Sequence, residues 1–183
     1  MADGKKKKSG KKTGPDWGWI LFIFVITMVI SAAMLFISSR LLGNAGMAVS
    51  FLILICIVAI GIVFDIIGVA VTACPEAPFH AMASRKVAEA PDALKLLRNA
   101  NRVSSFCNDV IGDIAGVVSG ATGAAIAAQL FSESASGFWL SLTLTSLIAA
   151  VTVGGKALGK QYAVRYNEKI VYWVAKLLCG FQK

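Results

Sequence analysis

Residues 17–37 run for 21 positions without a charged side chain, and that run excludes an ordinary aqueous core as the setting for this chain. At 1.5 Å per residue such a helix reaches about 30 Å, the thickness of bilayer hydrocarbon. Inside lipid every backbone polar group has to be satisfied within the segment, so the run predicts a transmembrane helix. Lys5 to Lys8, Lys11 and Lys12 stand before it like the start of a signal peptide. The apolar stretch is too long for one, and an uncleaved anchor is expected.

Three further spans follow. Residues 47–71 form the second, after a turn containing Gly43, Asn44 and Gly46. Residues 109–131, rich in Gly and Ala, form the third, and residues 138–153 the fourth, with the polar turn SESASG between them. The composition agrees: 57% of the residues are hydrophobic and only 15% charged, too apolar for a chain folded around one aqueous core. The expected fold is therefore an all-α integral membrane protein with four transmembrane helices.

Basic residues set the expected orientation. Six lie in the N-terminal tail, one (Arg40) in the first turn, five between the second and third spans, none in SESASG and six after the fourth span. This alternation places both termini in the cytoplasm of a multi-pass protein of the cell membrane. The net charge of +8 then belongs to membrane faces and anionic lipid at the basic tails, and no nucleic-acid partner is expected. Residues 1–16 are expected to be a basic cytoplasmic tail, 17–45 a leading span with its outer turn, and 46–183 the core domain.

The segment between the second and third spans is more than a loop. Phe79, Met82 and Val87 fit one helical stripe, Pro91 opens another helix, and Leu94 and Leu97 supply its apolar side. Both are expected to lie on the cytoplasmic membrane surface, with Arg85, Lys86, Lys95 and Arg98 toward head groups. The C-terminal stretch repeats the pattern through Ala163, Tyr166, Ile170, Trp173, Leu177 and Phe181, and is expected to rest on the membrane or a partner helix.

Within the apolar runs, a few oxygen-bearing side chains stand out. Asp65, Thr72 and Glu76 fall on one helical face with Val69. Asp109 and Asp113 are four apart on the third span and follow Ser105 and Asn108. A carboxylate at the centre of a span costs roughly 2.5–3.5 kcal/mol, so each must meet protein, water or a cation. Oxygen donors without His or Cys suit a hard cation such as magnesium. Blander roles are open too: Asp109 as a helix cap, Asp65 in packing across helices, Glu76 as a solvated acid or a partner of Arg85. Gly112, Gly116 and Gly120 form a small-residue stripe that suits close helix packing and a homodimer, with a permeation path as the lesser alternative. His80 stands alone, and the four cysteines show no metal-ligand spacing. No nucleophile with a base, phosphate loop or protease motif occurs, so no enzyme activity is expected.

From residue 61 to residue 171 the order of features resembles the membrane domain of the CorB and CorC proteins and the cyclin M (CNNM) magnesium transport mediators. That domain has an entering helix ending in a Ser-x-Ser-Glu type stretch, basic helices at the membrane face and an Asn-rich helix start. A Gly-Glu-x-x-Pro-Lys stretch then leads into a basic amphipathic helix. The matching pieces are TACPE at 72–76, MASRKV at 82–87, ALKLLRNANRVSSFCNDVIGDI at 93–114 and GKALGKQYAVRYNEKIV at 155–171. The resemblance implies a membrane protein of magnesium or cobalt transport or homeostasis, with Mg2+ as the moved or sensed ion and no tightly bound cofactor.

It implies a metal set of Asp65, Thr72, Glu76, Asn108, Asp109 and Asp113, altered from the family pattern. Ala73 and Pro75 stand where the family has serines, Asp109 and Asp113 where it has asparagines, and Lys156 and Gly159 where it has a glutamate and a proline. The regulatory CBS pair and C-terminal domain of the family are not expected, since the chain ends at Lys183. The other expectation consistent with Lys156 is a membrane adaptor or partner subunit that keeps the fold without the ion site.

Overall fold

The computed structural model describes residues 17–44, 46–131 and 137–181, and no strand occurs among them. Helix α1 spans Trp17–Asn44, α2 Met47–Ala73, α3 Ala77–Ser84, α4 Ala90–Arg98 and α5 Ala100–Ser105; a π-helical stretch, Phe106–Gly112, leads into α6, Asp113–Phe131, and α7 (Gly137–Arg165) and α8 (Asn167–Phe181) complete the chain. Among the described residues, four stretches are long and apolar enough to cross a membrane: Trp17–Arg40, Met47–Ala73, Ala100–Phe131 and Gly137–Arg165. The protein is thus an all-α, multi-pass membrane protein. The basic tail at 1–16 with its lipid contact, and the turn at 132–136, lie outside the described residues.

Two span boundaries differ from the sequence expectation. The third span starts at Ala100, not at Asp109, and the fourth continues to Arg165, well past residue 153. Hydropathy marks only the part of a helix that matches hydrocarbon, whereas intrahelical hydrogen bonds let it continue into the interface, where Arg102, Lys160 and Arg165 reach water. Asp109 consequently lies inside a continuous helix. It caps nothing, because no free helix N-terminus is present there.

The hub of the fold is α2, which packs on α1, α4, α5, the π-helical stretch, α6, α7 and α8. Against α6 and the π-helical stretch before it, α1 places Ile23, Ile26, Ile30 and Met34 on the cluster of Val110, Ile114 and Val118. One buried polar contact, Ser38 Oγ to Thr122 Oγ1 at 2.9 Å, ties the same pair together. Such a bond between membrane helices is worth on the order of 0.6 kcal/mol, so it fixes register more than it stabilises.

At the other end of α2, Ala70 and Val71 meet Phe79 of α3, Ala93 and Leu97 of α4, Ala163 of α7, and Val171 and Ala175 of α8. The apolar stripes expected of α3 and α4 thus face a protein core shared with α2, α7 and α8. Phe79 and Ala93 are fully buried within the protein, because helices this short gain more by pooling their apolar faces into one core. The C-terminal stretch is two helices and not one continuous stripe. A bend at Tyr166 separates α7 from α8, so Val171 and Ala175 turn inward while Trp173 and Leu177 are exposed. Asn167 Nδ2 donates to the Ala73 carbonyl at 3.3 Å and pins this bend to the end of α2.

Local signals explain the short helices. Proline opens α3 and α4, where a missing N–H is harmless. Asp92 in the first turn of α4 and Lys95 and Arg98 in its last oppose the helix dipole. Helix α3 ends in a Schellman turn, with Lys86 N–H donating to Ala83 O at 3.0 Å and Val87 N–H to Met82 O at 3.2 Å. Lys86 holds φ at 59° there, a conformation that costs an L side chain about 1 kcal/mol. Lys86→Gly should therefore stabilise the protein by up to about 1 kcal/mol, measured as a rise in denaturation midpoint. A fall would show that the Lys86 side chain matters more than its backbone.

Candidate cation site

The seam between α2 and the start of α6 is built from small residues alternating with polar ones. A Cβ placed on Gly61 would come within 2.7 Å of Ala115 Cβ, one on Gly112 within 2.6 Å of Asp65 Oδ1, and one on Gly68 would collide with Asn108 Oδ1. The helices run antiparallel here, so positions 61, 65 and 68 of α2 oppose 115, 112 and 108 in turn. Only glycine at 61, 68 and 112 lets the backbones approach this closely.

Asp65 is buried at 4% exposure. Its Oδ2 lies 3.7 Å from Lys156 Nζ of α7, and Lys156 Nζ donates to the Gly112 carbonyl at 2.9 Å. The first contact is an ion pair without a direct hydrogen bond and the second is a hydrogen bond. One turn away on the same seam, Asn108 Nδ2 donates to Ser104 Oγ at 3.1 Å while Asn108 Oδ1 is buried with no partner among the described residues. A buried carbonyl oxygen left unpaired is costly and calls for an explanation. The π-helical stretch, with i→i+5 bonding, carries both Asn108 and Gly112 and is a common device at functional sites.

The residues singled out in the sequence separate into three places. Asp65 and Asn108 lie on the same seam about a turn apart, Asp65 against Gly112 and Asn108 against Gly68. Asp109 and Asp113 are exposed, and the position that faces Asp65 is Gly112. Thr72 is exposed and donates back to its own helix, to Val69 O at 2.9 Å, and Glu76 is exposed beside His80 at 3.3 Å, leaving Arg85 aside. Among the described residues no group of three or more His, Cys, Asp or Glu side chains is gathered. Any hard cation at the seam would draw on one carboxylate, the amide oxygen and backbone carbonyl oxygen, a donor set of the right chemical type.

Sequence reasoning missed the partnership of Lys156 with Asp65 and the role of Gly61 and Gly68 in flanking the acid. The spacing Gly61, Asp65, Gly68 is the signal that marks this face of α2 as the one packed on another helix. The glycine stripe of the third span is split. Gly112 is consumed at the seam, while Gly116 and Gly120 meet nothing within 4 Å; they line a crevice of about 200 Å³ between α6 and α7 that Lys156 borders.

The four cysteines are unpaired. Burial, and then the Glu168 carboxylate, push the Cys74 thiol up to about 11, so it stays protonated and inert at neutral pH.

Residues 51–183 match the family model of the cyclin M transmembrane N-terminal domain. No curated protein and no solved structure matches the chain.

Proposed function

The chain belongs to the cyclin M transmembrane domain family, and from that premise we propose that it is a membrane protein of divalent-cation transport or homeostasis, with magnesium or cobalt as its ion. The ion's seat is the α2–α6 seam. The observation that carries this reading is a 4%-exposed carboxylate, Asp65, on one seam with the unpartnered buried oxygen of Asn108. An ionisable group held inside a span is a functional group by default, and a buried oxygen without a protein donor is an acceptor that a cation or a water would suit.

The same reading carries a homodimer in the cell membrane with both termini cytoplasmic, and with the basic tail against anionic lipid. Asp109, Asp113, Gly116 and Gly120 follow one another along an open face. Carboxylates exposed on a span are expensive against hydrocarbon, so this face is better set against a second copy or water. The C-terminal Trp173 and Leu177, exposed beside Lys176, suit the headgroup boundary.

A second reading draws on one observation. Lys156 already brings a positive charge to Asp65, as an adaptor that had lost its ion site would require. Reconstitution separates the two. Proteoliposomes loaded with a divalent-sensitive dye should show magnesium or cobalt movement with the wild type and at least a tenfold slower signal with Asp65→Asn. Wild-type vesicles indistinguishable from empty ones would leave the adaptor reading in place.

A further inference from the structure

Resting on the cation-handling reading, we propose that Lys156 determines the selectivity of the seat: its ammonium group is a tethered occupant that a divalent cation has to displace. Four features of the seam support this. The ammonium hydrogen-bonds the Gly112 carbonyl at 2.9 Å and lies 3.7 Å from Asp65 Oδ2, so it sits among the oxygens a metal ion would use. The Asp65 side chain is 5% exposed and that of Lys156 18% exposed, so the lysine reaches in from the more open side and can leave the way it came. Its stem also borders the crevice beside Gly116 and Gly120, which gives the displaced chain room.

The fourth feature is the unpaired Asn108 Oδ1. An ammonium group donates along a few directed N–H bonds, and here one of them is held by Gly112. It balances the charge of Asp65 and leaves the amide oxygen without a partner. A divalent ion takes oxygen ligands from every side and would draw on the Asp65 carboxylate and the Gly112 carbonyl that the ammonium now holds, with the Asn108 oxygen a turn along the same seam. Lysine therefore holds the seat charge-balanced at rest and weakens apparent divalent affinity, since a ligand binds only the fraction of molecules whose site is open. The stem is flexible and the charge compact, which suits a removable occupant better than a planar guanidinium.

The test is a magnesium titration of the full chain in nanodiscs, read by melting temperature and by calorimetry, on wild type, Lys156→Gln and the double variant Asp65→Asn/Lys156→Gln. Lys156→Gln is expected to bind magnesium at least tenfold more tightly than wild type. If it is poorly folded in chelator, millimolar magnesium should restore it, because the ion replaces the missing charge. The double variant, neutral at both positions, should fold without magnesium and ignore it. Equal affinity in wild type and Lys156→Gln would overturn the proposal while leaving the cation reading standing. So would a Lys156→Gln protein that magnesium fails to rescue, or a double variant that responds as strongly as the single one. No response to magnesium in either wild type or Lys156→Gln would overturn the cation reading and this proposal together.

Discussion

Asp65→Ala should lower stability by about 3 kcal/mol, the low end of the range for removing one partner of a buried ion pair. The loss comes less from the attraction removed than from the ammonium group left behind. Lys156 would still reach Gly112 O, now 2.9 Å away, with no anion to balance it in a seam of low dielectric. Its 18% side-chain exposure lets it turn partly outward, which keeps the loss from reaching the top of that range. Replacing both partners with neutral residues should be much milder, since a pair that balances itself adds little net stability over uncharged packing. Unfolding in mixed micelles measures each variant. A loss below about 0.5 kcal/mol for Asp65→Ala would show that the pair is not desolvated as the geometry implies.

The second large effect separates two glycines of the same residue type. A Cβ on Gly61 would lie 2.7 Å from Ala115 Cβ, whereas one on Gly154 meets nothing within 4 Å. Neither Cβ at the first position has a rotamer to escape through, so Gly61→Ala has to push α2 and α6 apart along the whole seam. A loss of about 2 kcal/mol is expected, in the range of overpacked cores. Gly154→Ala, on an open face of α7, should be neutral or stabilising by up to about 1 kcal/mol through helix propensity alone. Parallel melts of the two variants check the pair, and equal effects would show that the seam is looser than described.

The membrane fold was legible because lipid leaves a chain few choices. Apolar runs such as residues 17–37 must be helical, and their length alone places them across the bilayer. Helix ends were less legible. Nothing in hydropathy reports a helix that continues into the interface, as the third span does from Ala100. The amphipathic stripes of α3 and α4 were correctly seen, but periodicity shows only that a face is apolar, not whether lipid or Val171 and Ala175 will cover it.

The site was legible in its parts and not in its assembly. Asp65 was singled out from its cost in a membrane and Asn108 from the family resemblance, and both lie on the α2–α6 seam. Asp113 was expected at the same seam, yet its neighbour Gly112 is the residue that faces Asp65. Adjacent positions of a helix point about 100° apart, so both cannot occupy one narrow contact. Asp109 and Asp113 are both exposed instead. Lys156 escaped because its partner lies 91 positions away, and no local pattern reveals how two helices are rotated against each other.

Anomalous diffraction from crystals grown in lipid with millimolar cobalt tests the central claim most directly. The account predicts a metal peak at the α2–α6 seam, roughly 2.1 Å from an Asp65 oxygen and from Asn108 Oδ1, as small octahedral divalent ions require, with the Lys156 ammonium withdrawn from Gly112 O. A seam with no metal peak, Asn108 Oδ1 still unpaired and Lys156 still bonded to Gly112 O at 2.9 Å would contradict it.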